Sequence, residues 1–147
     1  MSHLGRPNGQ FNEKFSLKPV HQNLSHKLKT KIHFSNDCVG EEPLQKVNEL
    51  SNGEVLLLEN LRFHPEEEGK VKDPQTGKKK SVEKNLVDKF REQLSRYGEI
   101  YVNDAFGTSH RAHSSMVGTN HSIKASGLLL EKEIKVIFLL YLLYFSI

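Results

Sequence analysis

The chain has few cysteines and no tryptophan, and it has no apolar segment at its start. Its single cysteine, Cys38, excludes an intramolecular disulfide and favours a reducing compartment, so we expect a cytoplasmic protein. The start of the sequence, MSHLGRPNGQ, does not resemble a secretory signal peptide. The net charge of only +3 permits anionic partners but is not the strong basic excess of a dedicated nucleic-acid binder.

Long apolar runs are also missing, with one exception at the end of the sequence. Residues 136–147 read VIFLLYLLYFSI, which is shorter than the roughly 20 apolar residues that a membrane span needs. The run has no polar face either, so it does not indicate an amphipathic surface helix. We therefore expect no membrane partner. We interpret residues 135–147 as a tail foreign to the domain that precedes it; a core strand or helix without its partner is the alternative.

What the sequence does contain is an alternation of helical and extended patterns. Strands are predicted over residues 31–39, 54–61 and 99–106, and helices over residues 16–29, 41–50 and 81–97 with a last one starting over 125–134. Ser16 and Ser81 are the expected helix caps. The lysine-rich residues 70–80 read as an exposed loop, and residues 66–68 as a solvated helix start. Such alternation predicts an α/β fold with a parallel sheet.

Three segments each bring an arginine close to a histidine. They are SHLGRP at 2–7, LENLRFHPEEEG at 58–69 and VNDAFGTSHRAHSSMVG at 102–118. In parallel sheets, ligands bind beyond the carboxyl ends of the strands, and Arg62 and Arg111 each follow a predicted strand. His3 and Arg6 share that edge if a strand precedes them. Since the arginine fork binds carboxylate and phosphate oxygens at two points, the pattern predicts a pocket for a small, multiply charged anion.

Other possible sites are weaker. His64, His110 and His113 could suggest a metal, but the spacing of His110 and His113 lacks the additional cysteine or carboxylate ligands of a zinc site, so we expect no metal. Cys38 has no positioned base near it in the sequence and is expected to be a plain buried thiol. Gly69 and Gly77 superficially resemble a phosphate-binding loop, but the spacing is wrong and Lys79 stands where serine or threonine is required.

Together with DCVG at 37–40 and LLLEKE at 128–133, the three segments stand in the order found in the N-terminal, substrate-binding domain of the phosphoglycerate kinases. The chain resembles that domain over about residues 2–134. The resemblance implies a three-layer, Rossmann-like domain whose parallel sheet has helices on both faces. It also implies a glycolytic phosphotransferase that interconverts 1,3-bisphosphoglycerate and ADP with 3-phosphoglycerate and ATP, usually as a monomer.

Carried over by motif, the resemblance implies particular site residues. The expected substrate-binding residues are His3, Leu4, Gly5, Arg6, Arg62 and Arg111. Arg6, Gly107 and Arg111 are expected to take part in catalysis, with Gly107 in a loop that faces the transferring phosphate.

The differences from the family pattern are as informative as the matching motifs. The family's opening strand is absent, and so is its nucleotide domain with the Gly-Gly-Ala-Lys segment, so the site for Mg-ATP or Mg-ADP is expected to be missing from this chain. The domain at 1–134 is therefore interpreted as incomplete at both ends and as inactive alone. Two alternatives stay open: a non-catalytic anion-binding module, and a truncated product that does not fold stably.

Overall fold

The computed structural model describes residues 1–145 and consists of six α-helices and six short strands. The helices are α1 Lys18–Leu28, α2 Glu41–Asn48, α3 Pro65–Glu68, α4 Lys84–Ser95, α5 Ser114–Val117 and α6 Leu128–Phe145. The strands are β1 Ile32–Phe34, β2 Val55–Leu57, β3 Lys70–Lys72, β4 Lys79–Ser81, β5 Ile100–Asn103 and β6 Ile123–Ser126. Three single 3-10 turns lie at Glu13–Phe15, Leu61–Phe63 and Phe106–Thr108.

The strands that alternate with helices pair in parallel. β1 lies beside β2 with Ile32 opposite Val55, and α2 makes the crossover between them. β5 lies beside β6 with Ile100 opposite Ile123. The prediction of a parallel α/β fold is confirmed. Within residues 1–145 the strands form two separate parallel pairs and one antiparallel pair.

The two strands near the predicted pocket are shorter than the apolar pattern predicted. β1 ends at Phe34 because the chain turns, and the Asp37 carboxylate accepts the N–H groups of Cys38 and Val39. β2 ends at Leu57. Beyond it, the side chains of Glu59 and Asn60 accept the backbone N–H groups of Asn60 and Arg62, which a neighbouring strand would otherwise bond. An apolar pattern does not reveal where side chains take over the bonds of the main chain.

The prediction of an exposed loop at residues 70–80 is wrong, because this segment is a hairpin of β3 and β4 with Val71 opposite Lys80. Its turn is held by Asp73, whose carboxylate accepts the N–H groups of Gln75 and Thr76. Gly77 follows in the left-handed region at φ +68°. The predicted cap Ser81 belongs to β4, and α4 begins three residues later, at Lys84.

Smaller differences concern α1 and the end of the chain. α1 begins at Lys18, and its N-cap is Leu17, which makes no side-chain capping bond, so the predicted cap at Ser16 is wrong. The Ser16 hydroxyl, one residue before the cap, accepts the Lys18 N–H. β6 was not predicted; its four residues are all exposed, and the last two lie in the segment that was predicted to start the last helix. α6 extends through most of the predicted tail, with the last two tail residues outside the described part. No helix within residues 1–145 combines the length and the apolar character that crossing a membrane requires.

The apolar core lies between α4, the end of β2 and the turn that follows it. Phe90 and Leu94 of α4 pack with Leu58, Leu61 and Cys38, and all five are buried. Leu86, which belongs to the same predicted apolar stripe, remains 41% exposed. The core therefore rests on one side of α4 and on the segment that also carries Arg62.

We predict that Leu94→Ala destabilises the protein by about 2–5 kcal/mol, because it removes a fully buried side chain and leaves a cavity. Leu86→Ala is the matched control on the same helix and is expected to change the free energy of unfolding by no more than about 0.5 kcal/mol. Urea unfolding followed by circular dichroism measures both. Equal losses at the two positions would contradict the assignment of the core.

Candidate functional site

The buried carboxylate of Glu59 anchors the segment before α1. It accepts the Ser16 hydroxyl at 2.6 Å, the Leu17 N–H at 2.7 Å and the Asn60 N–H at 2.8 Å. Glu59 is only 4% exposed, so these bonds replace the water that the carboxylate would otherwise need. The start of α1 is thereby fixed against the end of β2.

Asn60 fixes the N-terminal segment to the same place. Its side-chain amide donates to the carbonyls of Leu4, at 2.7 Å, and Phe15, at 2.9 Å, and its oxygen accepts the Arg62 N–H at 3.0 Å. The Leu61 N–H donates to the carbonyl of Ser2. Residues 2–5 are thus held beside the turn Leu61–Phe63, although they are far from it in sequence.

Arg62 is 7% exposed and faces inward. Its Nη1 donates to the Gly5 carbonyl at 2.8 Å, and its Nε lies 3.0 Å from a Glu68 carboxylate oxygen in a charge contact without hydrogen-bond geometry. Gly5 has φ +64°, and a Cβ there would lie 2.3 Å from the Phe15 ring, so only glycine fits this approach. Leu4 and Gly5 therefore contribute their carbonyls to the loop structure.

Arg6 and Arg111 lie on one cavity of about 700 Å³. The same cavity is bordered by cationic and anionic side chains of the hairpin and its surroundings: Lys70, Lys72, Lys79, Glu68, Asp73 and His113. Arg62 lies behind this cavity and not in its lining. Burial, together with the positive charges of Arg111 and Arg6, lowers the pKa of Arg62 against the opposing effect of Glu68. The three predicted arginines are close enough to interact.

His3 and His113 lie close enough to the arginines to interact with their charges. Burial first, and then the charges of Arg62 and His113, lower the pKa of His3. Burial likewise lowers the pKa of His113, and Arg62 and Arg111 add to the effect while Glu68 opposes it. Both imidazoles are therefore held in the neutral form near neutral pH, and a bound anion would favour their protonation.

Gly107 lies apart from the arginine cavity, in the 3-10 turn Phe106–Thr108. A neighbouring cleft of about 360 Å³ is lined by His3, Asn103, Thr108 and His113, among others. Gly107 itself is exposed, and a Cβ there would meet nothing within 4 Å. His113 lines both cavities, so it marks the place where the two halves of the predicted site meet.

Sequence reasoning missed the role of Glu67. This residue is 3% exposed, and its carboxylate accepts the N–H and the hydroxyl of Ser115. Burial raises the pKa of Glu67, and the bonds from Ser115 partly offset that effect. The bonds join α3 to α5 and hold His113 beside Arg62. The prediction that residues 66–68 are solvated is wrong at Glu67, since only the position of α5 determines which glutamate is covered.

The hairpin lysines were also missed as part of the site. Lys70 and Lys72 alternate with Val71 in β3, a pattern that places both lysines on one side of the strand. That alternation was the available signal, and interpreting the segment as a loop concealed it. A cavity with several fixed cations suits a ligand that carries more than one negative charge.

Comparison with known proteins agrees with the fold and with the order of the motifs. The family model described as phosphoglycerate kinase matches residues 1–140. The phosphoglycerate kinase of Neurospora crassa is 55% identical over 135 residues, which are 92% of this chain and 32% of that protein. That of Tetrahymena thermophila is 54% identical over 134 residues, 91% of this chain and 32% of that protein.

A solved structure gives the same result. The crystal structure of phosphoglycerate kinase from Pyrococcus horikoshii OT3 superposes with a TM-score of 0.67 at 30% identity, covering 92% of this chain and 31% of that one. The chain spans about a third of the length of the curated relatives it matches. With a family model matched over nearly its whole length, the chain belongs to the phosphoglycerate kinase family.

Proposed function

We propose that this chain supplies the substrate side of phosphoglycerate kinase and binds 3-phosphoglycerate or 1,3-bisphosphoglycerate. The observation that carries the proposal is the cavity lined by Arg6 and Arg111, whose charges act on the buried Arg62, together with His3 in the adjoining cleft. A phosphorylated glycerate presents a phosphate and a carboxylate, and arginine forks suit both groups. The name shared by the relatives supports this ligand class.

Within this site the arginines have different roles. Arg6 is exposed and Arg111 is half-buried on the cavity, so these two guanidinium groups are free to meet the ligand directly. Arg62 is committed to Gly5 and to Glu68. It contributes positive potential and holds the loop, and a ligand carboxylate or phosphate that displaced Glu68 would gain Arg62 as a third partner.

In the family's reaction a phosphoryl group would move between the acyl phosphate of 1,3-bisphosphoglycerate and ADP. Protein groups in such transfers mainly position the reactants and neutralise charge. We assign that role here to Arg6 and Arg111, and we assign to the exposed backbone at Gly107 the contact with the transferring group. The cleft beside Gly107 joins the arginine cavity at His113, which is consistent with one continuous path.

The family's Mg-nucleotide does not fit the described residues. A glycine-rich phosphate loop needs a strand before it and a helix after it. Gly69 ends α3 and leads into β3, while Gly77 turns the hairpin from β3 to β4, so neither opens a helix. We therefore propose that the isolated chain binds substrate without turning it over and acts alone as an anion-binding module. A cytoplasmic location, a monomeric state and the lack of a nucleic-acid partner remain predictions.

We predict that Arg111→Met and Arg6→Met each weaken 3-phosphoglycerate binding roughly 10- to 100-fold, because each removes charge-assisted hydrogen bonds. Isothermal titration calorimetry on the whole chain measures the affinity. Arg96→Met is the matched control, since Arg96 is exposed and lies outside this cavity. If all three variants lose affinity equally, the effect comes from net charge and the proposed site is wrong.

Ligand binding is predicted to take up a proton through His3. The pKa of His3 is lowered in the free protein, so the ring is neutral near pH 7; a bound anion raises that pKa, and affinity therefore decreases as pH rises. Calorimetry in two buffers of different ionisation enthalpy measures the uptake. His3→Asn is expected to reduce it, and an unchanged uptake in this variant would show that His3 does not face the ligand.

The isolated chain is predicted to form no ATP from 1,3-bisphosphoglycerate and Mg-ADP, because the described residues hold no site to align the nucleotide. A luciferase assay on the purified chain measures this directly, with a full-length family member as positive control. ATP formation above background that disappears in Arg111→Met would contradict the prediction.

A further inference from the structure

Asp37, Cys38 and His64 form a cluster of possible metal ligands away from the arginine cavity. One ligand atom of each residue, a carboxylate oxygen, the sulfur and a ring nitrogen, lies within 4.8 Å of the other two. Asp37 and Cys38 lie in the turn after β1, and His64 ends the turn Leu61–Phe63. The fold brings together residues that are 27 positions apart, which is why no metal motif is visible in the sequence.

The three side chains are already oriented toward one another. His64 Nε2 lies 2.6 Å from Asp37 Oδ1, and that oxygen also accepts the Cys38 N–H at 2.6 Å. The His64 ring packs against Phe90 with 5.5 Å between the ring centres. The hydrogen bonds from Cys38, Val39 and His64 to Asp37 all use Oδ1, so Oδ2 is the oxygen that a cation can take without breaking the turn.

A cation could reach the cluster from one side. The Cys38 sulfur belongs to the core at 1% exposure, whereas the side chains of Asp37 and His64 are 49% and 28% exposed. The sulfur thus forms the floor of the cluster, and the carboxylate and the imidazole form its open rim. An arrangement with three protein ligands and one open side leaves room for a water molecule as fourth ligand.

The surroundings are suited to a positive ion. A buried carboxylate oxygen of Glu66, Oε2, lies 3.9 Å from His64 Nδ1 and accepts no hydrogen bond from any residue within 1–145. A carboxylate on the far nitrogen of a metal-bound histidine fixes the ring and increases its basicity. Burial first, and then the negative charges of Asp37 and Glu67, raise the pKa of the Cys38 thiol in the free protein.

We propose that Asp37, Cys38 and His64 bind a zinc ion, with Glu66 as the outer partner of the histidine. Sulfur and imidazole ligands with one carboxylate select Zn²⁺ among the common divalent ions. Tetrahedral bonding places the ligand atoms about 3.3 Å apart, so His64 and Asp37 must separate slightly from their present contact. On binding, the thiol loses its proton to solvent and sulfur forms the bond to zinc.

Cobalt titration of the whole chain tests the site, because Co²⁺ adopts the zinc geometry and reports its ligands by colour. We expect a thiolate-to-cobalt charge-transfer band in the near ultraviolet, removed by added Zn²⁺. Since Cys38 is the single cysteine of the chain, such a band is assigned without ambiguity. A sample with a cooperative thermal transition and no band would overturn the proposal. No glycerate ligand is present, so the result is independent of the proposed function.

Variants distinguish a metal site with three protein ligands from metal binding by the Cys38 thiol alone. Cys38→Ser is expected to abolish the band, and Asp37→Asn and His64→Gln to weaken zinc binding by at least about 10-fold each, while Glu66→Gln weakens it about 10-fold. His26→Gln, at an exposed position on α1, is the control and should change nothing. Because Asp37 is half-exposed, its variant keeps the test valid if Cys38→Ser fails to fold. A band and an affinity unaffected by Asp37→Asn and His64→Gln would refute the site.

Discussion

The buried carboxylate of Glu59 and the buried amide of Asn60 hold the N-terminal segments against the end of β2, and the position of the site follows from these bonds. Between them they bind Leu4, Phe15, Ser16 and Leu17, which belong to segments far from β2 in the sequence. A buried polar group is costly unless each of its partners is present, so the pair permits essentially one arrangement of these segments. Without the pair, the loop that carries Arg6 would keep only the bonds from Leu61 and Arg62 to its backbone among those described above.

The cationic site exists because nearby carboxylates limit its self-repulsion. Arg62 is nearly fully buried among other positive groups, and the Glu68 carboxylate 3.0 Å from its Nε compensates that charge. Glu67, one residue earlier, is bound to Ser115 and so holds the segment of Arg111 and His113 in place. Two consecutive acidic residues thus serve different purposes, one electrostatic and one architectural.

Much of the fold could be predicted because its signals are local. The helical stripe around Phe90 and Leu94 and the apolar runs that contain β2 and β5 identified those elements correctly, since periodicity reports which side of an element is buried. Where strands end was not predictable. The ends of β1 and β2 are set by the side chains of Asp37, Glu59 and Asn60, which bond to backbone atoms that an apolar pattern does not describe.

The type of protein and the identity of its charged groups can be inferred from the amino-acid sequence. The order of the motifs indicated the family, and the residue types indicated an anion site with Arg6, Arg62 and Arg111. What each charged group does depends on the packing of the folded chain, because packing sets burial and distance. It placed Arg6 and Arg111 on the cavity, turned Arg62 inward to Gly5, and covered Glu67 with α5. The role of a charged side chain depends on its partners and its exposure to water, and both are set by segments that are distant in the sequence.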